Sequence, residues 1–197
     1  MNKLLLLTTA VVATTNAYAS DVRPYVEGKI SQNWIKAEYK DIEDKANFKD
    51  NVFGGAVEIG VKINQFRVGL EGYYNDKAKE QKVDWVPIEM ESKGIFLNGY
   101  FDIPLPEVKQ IKPYVGVGIG YSWLKVTGDW TPWGETKESI KDKDWGWNAG
   151  VGVAYGINEN IDLTLGYRYE DLGKIKDEDS QTKFTNHKVS LGIRYTF

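Results

Sequence analysis

HKVSLGIRYTF, residues 187–197, is the stretch whose reading decides the fold. Val189, Leu191, Ile193, Tyr195 and Phe197 alternate strictly with Lys188, Ser190, Gly192, Arg194 and Thr196. A period of two puts the five apolar side chains on one face of a β-strand and the polar ones on the other. About 9–11 such residues carry a tilted strand across a bilayer, where a helix needs about 20 apolar ones. A half-buried strand of a soluble sheet is the competing reading, and the rest of the chain must choose.

Seven earlier segments repeat the pattern. From about residue 23 to 34, Val26, Gly28, Ile30 and Trp34 oppose Glu27, Lys29, Ser31 and Asn33. From 52 to 63, Val57, Ile59, Val61 and Ile63 oppose Glu58, Gly60 and Lys62. Phe66, Val68, Leu70 and Tyr74 then alternate with Arg67, Gly69, Glu71 and Tyr73. A fourth segment sets Ile95, Leu97, Phe101 and Ile103 against Asn98, Tyr100 and Asp102, and a fifth, 113–125, sets Val115, Val117, Ile119, Tyr121 and Trp123 against Gly116, Gly118, Gly120 and Ser122. The sixth carries Trp147, Ala149, Val151, Val153 and Tyr155 on one face, and the seventh alternates Ile161, Leu163, Leu165, Tyr167 and Tyr169 with Asp162, Thr164, Gly166, Arg168 and Glu170.

Connection lengths sort these strands. Short or turn-like links at Asn64-Gln65, at the proline-bearing 104–112 and at 158–160 alternate with long charged stretches at about 36–51, 75–93, 126–144 and 171–184. Short turns on one side of an even-stranded sheet and long loops on the other are the layout of a transmembrane β-barrel; a soluble sandwich or ligand-carrying barrel has no reason to alternate so regularly. The fold class expected is therefore all-β, an eight-stranded antiparallel up-and-down barrel with periplasmic turns and extracellular loops.

Charge decides which face points inward. Glu27, Lys29, Glu58, Lys62, Arg67, Glu71, Asp102, Asp162, Arg168, Lys188 and Arg194 all lie on the polar face. A lysine or arginine facing lipid at the midplane costs about 2–4 kcal/mol, so this face lines the lumen. Five acids and six bases nearly cancel, which suits paired rather than isolated buried charges. Glu58, Glu71, Arg168 and Lys188 are expected near mid-depth and the other seven nearer the periplasmic end. Aromatics fall at two levels, Trp34, Tyr74, Trp123, Trp147, Tyr167 and Tyr169 toward the outside and Phe66, Phe101, Tyr155, Tyr195 and Phe197 toward the periplasm. Two such girdles mark the two bilayer interfaces.

The amino terminus agrees. Lys3 precedes an apolar run from Leu4 to Ala13, and Ala17-Tyr18-Ala19 has small residues where a signal peptidase reads. Residues 1–19 are expected to be a removed signal peptide and 20–197 the barrel, with no cysteine after the cleavage site to acylate. A net charge of −3 is small and argues for neither nucleic acid nor a strongly acidic or basic partner, and no nucleic-acid partner is expected. The absence of cysteine rules out disulfides and thiolate metal sites. The mean hydropathy of −0.44 is compatible with a membrane barrel, because only alternate residues face lipid.

KPYVGVGIGYSW (112–123), LGYRYEDLGK (165–174) and the terminal HKVSLGIRYTF resemble the small outer-membrane β-barrel family that includes the transmembrane domain of OmpA, the opacity-type adhesins and many porin-family surface antigens. The resemblance covers the whole mature chain. It implies a Gram-negative-type outer membrane, with lipopolysaccharide as neighbour. It also implies that Tyr195 and Phe197 form the signal read by the barrel-assembly machinery, the last strand closing against the first. Nothing in residues 20–197 resembles the cell-wall-binding domain of full-length OmpA, so tethering is not among the expectations.

No catalytic, cofactor or metal site emerges. His187 is the only histidine, and Ser190, three residues on, falls on the opposite face by alternation, unlike the histidine and serine of barrel deacylases. The function expected is that of a surface-exposed structural protein or antigen with a plugged polar interior. An adhesin binding a host-surface ligand through its loops is the first alternative and a small porin the second. Loops on a rigid barrel are where binding residues sit, but charges of both signs are interspersed in them, as in Glu38 to Asp50, without a basic patch for polyanions. Trp130 and Trp133 in GDWTPWGE are the candidate binding residues, unless they rest on lipid headgroups. Acidic pairs such as Glu43-Asp44 offer only an unspecific way to bridge to lipopolysaccharide through divalent ions. Deleting Phe197 is expected to reduce the protein inserted in cells far more than folding into detergent; equal losses would leave Phe197 a packing role alone.

Overall fold

The computed structural model describes residues 22–40, 47–80, 88–108, 110–128, 138–176 and 181–197. These form eight strands: β1 (Val22–Lys40), β2 (Asn47–Ile63), β3 (Phe66–Glu80), β4 (Ile88–Asp102), β5 (Ile111–Gly128), β6 (Glu138–Gly156), β7 (Ile161–Lys176) and β8 (Gln181–Thr196). Each pairs antiparallel with the next, and β8 returns to β1 to close the barrel. At the seam Tyr25 stands opposite Thr196 and Ile30 opposite Leu191. The Phe197 amide donates to the Pro24 carbonyl at 2.9 Å, and Arg23 Nε donates to the Phe197 carbonyl at 3.0 Å.

The turns expected on the periplasmic side lie at Asn64-Gln65, between β4 and β5, and between β6 and β7. Asn64 has φ 54°, a left-handed conformation that asparagine tolerates in a tight hairpin. At the other end the structure corrects the loop expectation. Much of the charged sequence at 36–51, 75–93, 126–144 and 171–184 continues the ladders, so β5 runs on to Gly128 and β6 begins at Glu138. Above the bilayer both faces of a hairpin are wet, so strict alternation is no longer required, yet pairing still satisfies the backbone groups. The signal peptide expected at 1–19, Glu43-Asp44, and Trp130 and Trp133 lie outside the described residues.

Two irregularities interrupt the ladders toward the extracellular end, between Asn75 and Ala78 in β3 and between Asp171 and Gly173 in β7. At the second, Gly173 has φ +95° and packs against the Asp144 side chain, and Leu172 is fully buried. Such a bulge re-aims the side chains that follow it.

Inside, large side chains of one strand lie over glycines of the next. On β4, Phe96, Asn98 and Tyr100 stand opposite Gly120, Gly118 and Gly116 of β5, and a methyl group on any of these three glycines would collide with its partner's side chain. The period-two glycines of β5 therefore make room for the lumen's filling. Outward glycines differ, since a methyl group at Gly72 would meet nothing within 4 Å. Gly116→Ala is expected to cost about 1–3 kcal/mol by overpacking, and Gly72→Ala to stay within about 0.5 kcal/mol of neutral. Urea unfolding in detergent micelles compares them.

Candidate functional site

The lumen is where the sequence concentrates charge. Glu58, on β2, is fully buried and takes four donors. Tyr25 Oη reaches its Oε1 at 2.6 Å, while Lys29 Nζ (2.9 Å), Tyr100 Oη (2.7 Å) and Asn98 Nδ2 (3.2 Å) reach its Oε2. Glu71, on β3, is gripped by Arg168 of β7 through Nη1 at 2.6 Å and Nη2 at 3.1 Å, and by Lys29 Nζ at 2.7 Å. Arg168 Nη2 also donates to Tyr100 Oη at 3.1 Å. Side chains from β1, β2, β3, β4 and β7 are thus joined into one network across the barrel. Bidentate guanidinium–carboxylate contacts of this kind are the strong members of their class.

Two smaller clusters sit nearer the periplasmic turns. Asp102 accepts from Arg67 Nε at 2.9 Å and Lys62 Nζ at 2.7 Å. Asp162 accepts from Arg194 Nη2 and Lys112 Nζ, both at 2.8 Å. Toward the outside, Glu170 accepts from Lys188 Nζ at 2.7 Å and Asn186 Nδ2 at 2.8 Å. The Arg67 guanidinium also lies over the rings of Tyr100 and Tyr114, 4.4 and 4.9 Å from their centroids, and Lys188 Nζ over Tyr73 at 4.8 Å.

Two expectations, on Lys29 and Glu27, need correcting. Lys29, expected nearer the periplasmic end, belongs to the mid-depth network, because its long stem carries the ammonium up to Glu58 and Glu71. Lys188 stands opposite Arg168 and reaches Glu170, the next inward residue of β7, which also lies 3.6 Å from Arg168 Nη1. Glu27 is buried but has no ion pair among the described residues; its Oε1 accepts from Thr164 Oγ1 at 2.7 Å. Glu27, Lys29 and Arg67 line a lumen cavity of about 20 Å³, room for about one water.

The inner charge set gains Glu170, already on the polar face by alternation, and Lys112, one acid and one base, so the near-balance persists. Sequence reading missed the aromatic part of the filling. Tyr25, Phe96 and Tyr114 belong to the lumen side, and the fully buried Phe96 breaks the polar face of β4. Their positions in the alternation were readable, but apolar residues on a polar face were not weighed. The girdles gain Phe53 and Trp145, both exposed on the lipid side. His187 lies outside, its Nδ1 2.7 Å from Tyr167 Oη and its ring edge-on to Tyr169 at 5.3 Å, whereas Ser190 lines the lumen cavity.

An eight-stranded antiparallel barrel, apolar outside and ion-paired inside, is a transmembrane β-barrel. The chain belongs to the outer membrane protein beta-barrel domain family, which matches residues 4–197, and its place is the outer membrane. It is 27% identical over 220 residues to outer membrane protein PagN of Salmonella typhimurium strain LT2, covering 95% of this chain and 90% of PagN. It is 25% identical to opacity protein opA57 of Neisseria gonorrhoeae over 165 residues, 68% of this chain and 67% of opA57. The crystal structure of Neisserial surface protein A superposes with a TM-score of 0.60 at 21% identity, over 88% of this chain and 97% of that one, and shares the fold.

Removing one side of the central pair strands the other in the lumen. Arg168→Ala is expected to destabilise by about 3–5 kcal/mol, and Arg168→Ala combined with Glu71→Gln to recover part of that loss. Urea titration of the three variants in micelles measures both.

Proposed function

We propose that the protein is a non-conducting, non-catalytic barrel that anchors β-hairpins at the cell surface as a structural protein or antigen, the hairpins being its working surface. The observation that carries this reading is the network around Glu58 and Glu71, which joins five strands across the barrel axis. Ions following that path would have to break charge-assisted contacts of 2.6–2.9 Å. Eight strands leave an interior that side chains can fill, which supports the same reading. His187 and Ser190 on opposite faces leave a serine hydrolase without its base.

The adhesin reading draws support from the hairpins. Beyond the outer aromatic level at Trp123 and Trp147, β5 and β6 continue to Gly128 and back from Glu138, roughly 15–30 Å of paired strand. Rigidly held tips are suited to binding, and the relatives include opacity proteins. Planar-bilayer recording is expected to show no sustained conductance; steady channels would favour the small porin instead. In parallel, host-cell binding by bacteria displaying the protein should fall when residues 126–144 are replaced by a short turn, and unchanged binding would remove the hairpins as the working surface.

A further inference from the structure

The lipid-facing side of β1–β5 is not smooth. Two neighbouring rows of outward residues cross it. The upper runs Ile30, Gly55, Tyr74, Lys93, Trp123, and the lower runs Gly28, Val57, Gly72, Ile95, Tyr121. Glycines alternate with bulky residues, so the wall sinks between Ile30, Val57, Tyr74 and Ile95. A methyl group at Gly28 or Gly72 would meet nothing within 4 Å. The resulting groove has a volume of about 870 Å³, within the roughly 300–1,000 Å³ typical of ligand sites. It reaches from mid-membrane to the outer aromatic level marked by Tyr74 and Trp123, so it opens into the outer leaflet.

Lys93 stands on its upper rim. It points out of the barrel and is exposed, and among the described residues it has no ion-pair or hydrogen-bond partner. Of the other charges nearby, Glu91 and Lys125, opposite one another on β4 and β5, and Asp76 on β3 lie farther from the membrane than the row of Lys93, and that row runs on past Trp123 to Lys143 of β6. Lys93 is the outward cation that lines the groove itself, at the depth where lipid headgroups begin. A second groove shows what is special about the first. It lies over Val68, Gly99, Val117 and Ala149 with a volume of about 480 Å³, and no lysine lines it.

We propose that the Gly28–Gly72 groove is a specific site for the lipid A part of lipopolysaccharide, an acyl chain lying in the trough and a phosphate resting on Lys93. The chain's class follows from the wall, an apolar, open and shallow depression between bulky side chains along which an acyl chain can lie. The headgroup's class follows from charge: an unpaired ammonium at interfacial depth selects an anion, and a long lysine stem can lift it to the phosphate level. The leaflet follows from the topology, since the long hairpins mark the outside and lipopolysaccharide builds that leaflet. The site depends on the outer-membrane setting and not on whether the lumen conducts, so bilayer recording and lipid binding test separate statements.

The test uses the folded full chain in detergent, with native mass spectrometry reading bound lipid. Probes are bis-phosphorylated hexa-acyl lipid A, the same lipid without phosphates, and phosphatidylglycerol. Variants are Lys93→Gln, Gly72→Leu to fill the trough, and Gly99→Leu as the equivalent change in the lysine-free groove, each confirmed folded by its different migration before and after boiling. One retained lipid A is expected on the unmutated protein. Retention should drop tenfold or more in Lys93→Gln and Gly72→Leu, and be unchanged in Gly99→Leu. On the unmutated protein, dephosphorylated lipid A and phosphatidylglycerol should also bind at least tenfold more weakly, an arm independent of how the variants fold. Equal retention of the three lipids, undiminished binding in both groove variants, or an equal loss in Gly99→Leu would each overturn the proposal.

Discussion

A strand edge cannot be left open in hydrocarbon. Each backbone group without a partner costs several kcal/mol where no water can replace the missing bond, so the pairing of β1 with β8 is the condition on which the rest of the structure rests. Closure at eight strands sets the radius, and the radius sets how much material the lumen must hold. From there the residue choices follow. The inward side chains have to pack a narrow cylinder in which isolated charge is costly. They use carboxylates held between bases, tyrosines that both pack and donate, and glycines where Phe96 and Tyr100 lie against β5.

The filling is graded along the axis. Asp102 and Asp162, each with two bases, sit by the periplasmic turns; Glu58 and Glu71 bind several strands at mid-depth; Glu170, Lys188 and Asn186 follow toward the outside. Beyond them Ile35 and Val52 form a small apolar cluster inside the barrel. Buried ion pairs are weak evidence for stability, because desolvation offsets much of their attraction. Their consequence here is positional, since a charge held by two or three partners from different strands ties those strands to one register. Such a scaffold gives the hairpins above it a fixed base.

The exterior is uneven in a way that bears on the membrane. Aromatic rings link Trp123, Tyr121 and Trp145 on β5 and β6, and Trp147, Tyr169, His187 and Tyr167 on β6 to β8, so this flank meets the outer interface as an almost continuous ring surface. The opposite flank has outward glycines and Lys93 on the groove's rim. Amphipathic rings anchor a barrel at the headgroup level without choosing among lipids. A trough with a cation at its edge presents lipids with a shape and a charge, and so distinguishes the two flanks.

The strand count, the antiparallel order, the direction of each face and the membership of most of the inner charge set are determined by the sequence alone. These depend on a period of two and on the cost of charge in lipid, both of which act residue by residue. Which acid meets which base was decided only by the tertiary structure, because strand tilt and side-chain length set who reaches whom; Lys29 reaches up to Glu58 and Glu71, while Glu27 is left to Thr164. The extension of the strands past the membrane was likewise hidden, since in water pairing no longer imposes alternation. Phe96 and Tyr114 inside, and the glycine trough outside, depend on neighbours in adjacent strands. A single chain read in order does not show what its next strand will lay against it.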